Sequence, residues 1–378
     1  KPIKAENIKV TDSRRALAVA SDNFHNNPSR KMLLIGVTGT DGKTSTCRLI
    51  HAACSRKGET GLMGTVGHII MGKEITAGRT TPEAPEINKM LHELVEGNAF
   101  AAVMEVSSHA LALQRTHKLD FDIAVFTNLS QDHLDFHKDL DDYFNTKAQL
   151  FELMKPSGAA IINLDDSRGP ELAKRANCKV AFYSLKDPKA DIYGEIDELS
   201  LRGLRMKVHH PCGVTEIYSQ LLGVPNAYNL LAAFSACMEA GLNENQIVGG
   251  LSSFYGVPGR FERIDCGSFI TVIDYAHTPQ AITNLLQALR EYTEKKIHVV
   301  FGCGGDRDKS KRPLMARAAE ELADQLYMTS DNPRFEKPEA ILEDMAAGLQ
   351  NREKVVIDLD RKSAIEQALE NALPGDLV

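Results

Sequence analysis

From about residue 31 the chain alternates short, near-continuous apolar runs with amphipathic stretches. Met32–Val37 leads into the turn Thr38-Gly39-Thr40-Asp41-Gly42-Lys43-Thr44, and a helical stretch carries on to about Lys57. Phe100–Val106, Asp122–Thr127, Gly158–Leu164 and Lys179–Tyr183 read as further strands. Helical patterns lie between them, over Glu83–Glu96 and Leu140–Met154. Apolar strands without polar alternation, separated by helices, predict a parallel sheet covered on both faces. Residues 189–221 differ. Leu204–Val208 and Thr215–Ser219 alternate, which predicts a small antiparallel region. Ala227–Ala240 reads as a helix stopped by Gly241.

A second series of the same kind begins near residue 263. Its strands are expected at Ile270–Ile273, Ile297–Phe301, Gln325–Met328 and Val355–Ile357, its helices at about 280–291, 312–323, 338–349 and 361–372. The pattern predicts an α/β protein in two parts, residues 29–262 and 263–378, with the boundary near Phe261–Ile264. Residues 1–28 read as the end of a preceding segment. The chain starts at Lys1 without Met and ends on Gly375-Asp376-Leu377-Val378, which looks like the start of a strand. Both ends read as those of a piece of a longer protein.

At 378 residues, 43% hydrophobic and 25% charged, the chain can bury two or three cores and is not disordered. A net charge of −7 argues against nucleic-acid binding through bulk electrostatics. No apolar run approaches the ~20 residues that span a bilayer, and no signal peptide is seen. The seven cysteines are scattered and form no CxxC, which points to a reducing, cytoplasmic setting and away from zinc.

Three turns carry the chemistry. Strand, Gly-rich turn, Gly-Lys-Thr and helix are the context of a phosphate loop. Backbone N–H groups over Gly39, Thr40, Asp41, Gly42, Lys43 and Thr44 can wrap an anion at a helix N-terminus, Lys43 can reach the β- and γ-phosphates, and Thr44 can ligate Mg²⁺. The first part is therefore a central ATP-binding domain, the second a Rossmann-like α/β domain. Glu105 follows the strand at 100–106, at the carboxyl edge of the sheet where ligands bind, and is an oxygen ligand of the kind Mg²⁺ takes. After the next strand, His133 can ligate a second cation, whereas Asp132 and Asp135 equally suit a helix cap or a turn. On composition alone Lys147 is an ordinary helix lysine.

The Gly-Thr-x-Gly-Lys-Thr spacing is shorter than a general phosphate loop and resembles the ATP site of the Mur ligase superfamily. TGTDGKT, Thr80-Thr81-Pro82, MEVSSHAL, FTNLSQDHLDFH, YFNTKAQLF, GRFE, DYAHTP, GCGGDRDKSKRP and DNPR occur in that family's order. The set is similar to the tripeptide synthetases among the Mur ligases. The resemblance implies an ATP-dependent amide ligase that adds meso-diaminopimelate to the D-glutamate side chain of UDP-MurNAc-L-Ala-D-Glu through an acyl phosphate. It implies ATP and Mg²⁺ as cofactors, a monomer, no nucleic acid and no membrane insertion.

Residue by residue, the resemblance implies that Thr44 and Glu105 hold one Mg²⁺, and that His133 and a carbamylated Lys147 help hold the other. It makes Asn229 an adenine contact, Asp274 a ribose contact and Arg260 a phosphate contact. Thr80, Thr81, Ser107 and Arg115 would meet the UDP-muramoyl substrate. Arg307, Asp331, Asn332, Pro333 and Arg334 would hold the acceptor, its carboxylate clamped by guanidinium groups. Arg79 stands where the family commonly has Asn, and Leu113 where it has Gln, with Gln114 one place later. Asp41 stands where Asn is also common. Alternatives are an L-lysine-adding member, a folylpolyglutamate-type ligase, an ATP-binding scaffold, and a fragment inactive without its N-terminal uridine domain and its closing Gly-Lys-Gly-His-Glu.

Overall fold

The computed structural model describes residues 9–133, 136–259 and 261–378. These divide into two compact units. The first comprises the described residues of 9–199, Gly203–Gln220 and Pro225–Tyr255; the second comprises those of 256–378 with the short stretches Ser200–Arg202 and Leu221–Val224. No helix among the described residues is long and apolar enough to cross a membrane.

The first unit opens with helix α1 (Ser13–Phe24), strand β1 (Leu33–Thr38) and helix α2 (Lys43–Cys54). Strands β2 (Thr60–Gly64), β3 (Gly67–Ile70) and β4 (Lys73–Ile75) precede helix α3 (Ala84–Glu96). Next come β5 (Ala101–Glu105), the short α4 (Ser108–Ala112), β6 (Phe121–Phe126), α5 (Leu140–Glu152) and β7 (Met154–Asn163). The unit continues through α6 (Gly169–Ala173), β8 (Lys179–Ser184), β9 (Ile192–Ser200), β10 (Gly203–His210) and β11 (Gly213–Ser219) to α7 (Val224–Glu239) and α8 (Glu244–Ser252).

Eleven strands form one sheet, in the order β11-β10-β9-β8-β7-β6-β1-β5-β2-β3-β4. β1 is parallel to both β5 and β6. Its residues Leu34–Thr38 are all buried, as strands with helices on both faces require. On one face Leu34, Met104, Phe121 and Phe126 pack with Leu91, Phe144 and Phe151 from α3 and α5. Helix α2 covers the other and packs against α8.

The expected elements form, with these differences. Residues 60–75 carry β2, β3 and β4, too short and Gly-rich to be legible. Within 189–221, Leu204–Val208 and Thr215–Ser219 pair antiparallel in β10 and β11 as expected, but β9 pairs parallel with β8, so the region extends the main sheet. Helix α7 starts at Val224 rather than Ala227, since Pro225 fits the first helical turn, where its missing N–H costs nothing. Residues 13–24 form α1, which packs on α3 within the first unit.

The second unit holds β12 (Glu262–Asp265), β13 (Ile270–Ile273), α9 (Pro279–Arg290), β14 (His298–Phe301) and α10 (Lys311–Leu322). It closes with β15 (Gln325–Thr329), α11 (Pro338–Ala346), β16 (Val355–Asp358) and α12 (Arg361–Glu370). β14, β15 and β16 are parallel, and β12 pairs antiparallel with β13. Leu377 bridges both Ile270 and Ile297, so Gly375–Val378 does run as the strand-like segment expected and links the two sheets.

Gly250 of α8 is where α2 comes nearest. A Cβ there would lie 2.3 Å from Ala53 Cα. Gly250→Val should therefore push α8 off the helix that carries the phosphate loop. The expected loss is about 1–3 kcal/mol of stability, the usual cost of overpacking, read by urea denaturation.

Candidate functional site

The order β6-β1-β5-β2 puts the turns that follow four adjacent parallel or near-parallel strand ends side by side. The turn after β1 is the Gly39–Thr44 loop. Gly42 caps α2 with φ +82°, and a side chain there would strike Asn229 Oδ1; only glycine combines that backbone with that contact. The loop is braced from β6. Asn128 Oδ1 accepts from Asp41 N at 2.9 Å, Asn128 Nδ2 donates to Asp41 O at 3.2 Å, and Thr127 Oγ1 donates to the same carbonyl at 2.6 Å.

Two lysines converge on this loop. Lys43 Nζ donates to Gly39 O at 2.9 Å and Thr40 O at 2.6 Å. Lys147 Nζ, from α5, donates to the same Gly39 O at 2.6 Å and lies 4.3 Å from the centre of the Tyr143 ring. Lys147 is 1% exposed. Burial, then the Lys43 charge, push its ammonium well below the ordinary lysine value, against the weaker pull of Asp132 and Asp41. Such a setting favours the neutral amine over the ammonium.

The turn after β5 presents Glu105, 1% exposed. Its Oε2 accepts from Thr44 Oγ1 and from Thr65 Oγ1, each at 3.0 Å, and its Oε1 accepts from Thr65 N at 2.8 Å. Thr44, Thr65 and Glu105 are thus an oxygen-only set at the N-terminus of α2. Hard oxygen donors suit Mg²⁺.

His133 has φ +54° and is exposed, its Nε2 3.4 Å from Asp132 Oδ2. Its ring lies edge-on to His109 at 4.8 Å and 6.2 Å from that of Tyr143, the ring that Lys147 also approaches. Asp135, the other turn candidate, lies outside the described residues, and so does Arg260. Among the described residues no group of three or more His, Cys, Asp or Glu side chains is gathered as for a metal.

Thr80, Thr81, Ser107 and Arg115 cluster around the end of β5. Thr81 Oγ1 donates to Glu105 O at 2.8 Å and lies 3.1 Å from Ser107 Oγ, while Arg115 donates to Thr81 O at 3.1 Å. Thr80 Oγ1 lies 3.1 Å from Thr65 Oγ1. Arg115 also pairs with Glu83 at 3.0 Å. Asn229 is 7% exposed; its Oδ1 accepts from Thr46 Oγ1 at 3.2 Å and its Nδ2 donates to Asn226 Oδ1 at 2.9 Å.

In the second unit, the turns after β14 and β15 meet. Arg334 donates to Gly305 O at 2.6 Å, and Gly305 N donates to Asn332 O at 2.9 Å. Arg307, Asp331, Asn332 and Arg334 are exposed, with Pro333 half-buried between them. Asp274 follows β13, and its carboxylate accepts from Phe261 N and Ala276 N, each at 2.8 Å.

Residues 37–237 match the family described as Mur ligase middle domain, and residues 259–378 that described as Mur ligase, glutamate ligase domain. The chain belongs to the Mur ligase family. It is 46% identical over 98% of its length, and 76% of the relative's, to a UDP-N-acetylmuramoyl-L-alanyl-D-glutamate–2,6-diaminopimelate ligase of Gloeobacter violaceus. A Syntrophomonas wolfei protein of the same name is 42% identical over 99% of this chain and 78% of its own. A solved structure of a ligase of that name superimposes with TM-score 0.74 at 35% identity, covering 100% of this chain and 79% of the other. The folylpolyglutamate synthase of Thermotoga maritima shares the fold alone: 16% identity, TM-score 0.73, covering 98% of this chain and 90% of the other.

Three residues of this Mur ligase's site escaped sequence reasoning. Thr65 follows the illegible β2. Asn128 and Tyr143 sit inside segments already singled out, FTNLSQDHLDFH and YFNTKAQLF, and only their contacts reveal the loop they brace and the lysine they cover.

Lys147 gives a prediction with a definite sign. Between its lowered folded value and the ordinary 10.5, the unfolded chain holds a proton that the folded chain does not. Stability from this group therefore rises with pH across that window. Lys147→Met should be more stable than the parent at pH 7 in CO₂-free buffer, and the gain should shrink toward pH 10. Thermal unfolding at several pH values reads it; a gain independent of pH contradicts the burial argument.

Proposed function

We propose that this chain carries the catalytic core of an ATP-dependent ligase that joins meso-diaminopimelate to the D-glutamate side-chain carboxylate of UDP-MurNAc-L-Ala-D-Glu, in peptidoglycan synthesis. The observation that carries the reading is the likeness along nearly the whole chain to ligases named for that reaction. The paired turns at Gly305 and Arg334 support the acceptor.

In this reading, the backbone N–H groups of residues 39–44 and the N-terminus of α2 bind the phosphates, and Lys43 turns from its loop carbonyls to the transferring phosphoryl group. Asn229 meets the adenine, Asp274 the ribose and Arg260 the phosphates. Thr44 and Glu105 hold one Mg²⁺, joined by Thr65, whose hydroxyl already shares the Glu105 carboxylate. Lys147 as an ammonium would be no ligand. As a buried neutral amine it adds to the carbon of CO₂, forming an N–C bond and releasing one proton, and the resulting carbamate, with His133, suits a second Mg²⁺. The ions, when bound, neutralise charge on the phosphates. Thr80, Thr81, Ser107 and Arg115 orient the UDP-muramoyl substrate; three of the four are already bonded to one another or to the β5 backbone.

ATP phosphorylates the D-glutamate carboxylate, the diaminopimelate amine attacks the acyl carbon, and phosphate leaves. Arg334 and Arg307 clamp an acceptor carboxylate in bidentate fashion, with Asp331 and Asn332 accepting from its ammonium group and Pro333 fixing the turn. A nucleotide-linked sugar and ATP as substrates support a cytoplasmic setting.

The test is phosphate release by the whole protein with ATP, Mg²⁺ and UDP-MurNAc-L-Ala-D-Glu, adding meso-diaminopimelate, L-lysine or neither. The expected result is diaminopimelate-dependent turnover with a product heavier by one diaminopimelate residue. Lysine-dependent turnover overturns the acceptor. Hydrolysis indifferent to both overturns the ligase reading and favours a plain ATPase.

A further inference from the structure

Arg312 is the largest fully buried side chain among the described residues, 0% exposed, and the reaction outlined above does not use it. A buried guanidinium needs partners. Arg312 makes a two-pronged pair with Glu336, Nη2 to Oε1 at 2.7 Å and Nη1 to Oε2 at 3.0 Å. Nη1 also donates to Asp344 Oδ2 at 2.7 Å, and Nη2 to Gly304 O at 3.3 Å. Glu336 carries more than this pair: Lys309 Nζ lies 2.9 Å from its Oε2, and Asp306 N donates to its Oε1 at 2.6 Å. Hydrogen bonds from Arg312, then Lys309, then Asp306 N hold its carboxyl well below the usual range.

The Asp306 contact matters most. The Gly305–Asp306 peptide has its N–H on Glu336 and its carbonyl on the Arg334 guanidinium, each at 2.6 Å. One planar group thus transmits the position of Glu336 to Arg334. A further bond ties the same turns together, Phe335 N donating to Asp306 Oδ2 at 3.1 Å, and within the second turn Glu336 N donates to Pro333 O at 2.9 Å. Asp306 and Arg334 both hold left-handed backbones, φ +50° and +49°. Non-glycine residues keep that conformation only where surrounding bonds over-determine it.

We infer that Arg312 and Glu336 are positioning residues for the acceptor: through the Gly305–Asp306 peptide they aim the Arg334 guanidinium at the carboxylate of the incoming amino acid. This rests on the acceptor reading given above and assigns it a part that touches no substrate. A residue that only stabilised the fold would alter all steady-state constants alike or none. An aiming residue raises the KM of the one substrate it orients.

The test uses the whole protein, comparing Glu336→Ala and Glu336→Gln with the parent, alone and combined with Arg334→Ala. The glutamine oxygen still accepts from Asp306 N, so this variant is the milder and serves if the alanine does not fold. Expected is a rise of at least about tenfold in KM for meso-diaminopimelate in Glu336→Ala, smaller in Glu336→Gln, with KM for ATP within about twofold. In the Arg334→Ala background the Glu336 changes should add almost nothing, the signature of residues acting as one unit. An unchanged acceptor KM, equal rises in the KM of all substrates, or full additivity with Arg334→Ala overturns the inference while leaving the ligase intact. A parent that shows no diaminopimelate-dependent turnover overturns the functional reading itself, and the inference with it.

Discussion

The site is organised around one carbonyl. Gly39 O receives both the Lys43 and the Lys147 amines, and two such groups cannot both stay protonated in a dry place at little cost. The chain divides the two: Lys147 is buried beside Tyr143, and Lys43 stays on the Gly39–Thr44 loop. Burial, then the Lys43 charge, lowers the Lys147 pKa and favours its neutral amine. Everything proposed for the second cation follows from that division.

The division depends on strand order. β1 lies between β5 and β6, so the phosphate loop has Glu105 on one side and the Thr127–His133 turn on the other. Helix α5, which carries Lys147, packs its Phe144 and Phe151 into the core beside Phe121. That packing brings Tyr143 and Lys147 in under the loop. Asn128 and Thr127 then fix Asp41 from the β6 side. The second unit uses the same device differently. There the turns after two parallel strands are zipped together, and a buried Arg312–Glu336 pair replaces a phosphate loop as the thing that sets their shape.

Much of this was legible in the chain. Met32–Val37, Phe100–Val106 and Asp122–Thr127 are apolar without alternation, and such runs have one stable use in an α/β sheet. Gly39–Thr44 announces itself because glycines, lysine and threonine recur there at fixed offsets between a strand and a helix. Residues 60–75 did not, because strands of three to five residues rich in glycine carry no period. Lys147 and Arg312 were illegible for a shared reason: each lies in a helix whose sequence would suit a solvated face, and only tertiary packing makes it buried. Only the family resemblance marks Lys147 in the sequence. Nothing marks Arg312, whose partners Glu336 and Asp344 lie 24 and 32 residues away.

The most direct measurement is ¹³C NMR of the whole protein equilibrated with ¹³C-bicarbonate near pH 8, comparing the parent with Lys147→Met. The account predicts one carbamate resonance in the parent, strengthened by Mg²⁺ and absent from the variant. A parent without that resonance, or a variant that keeps it, would contradict the assignment of Lys147 as the group that gives up its charge to hold the second cation.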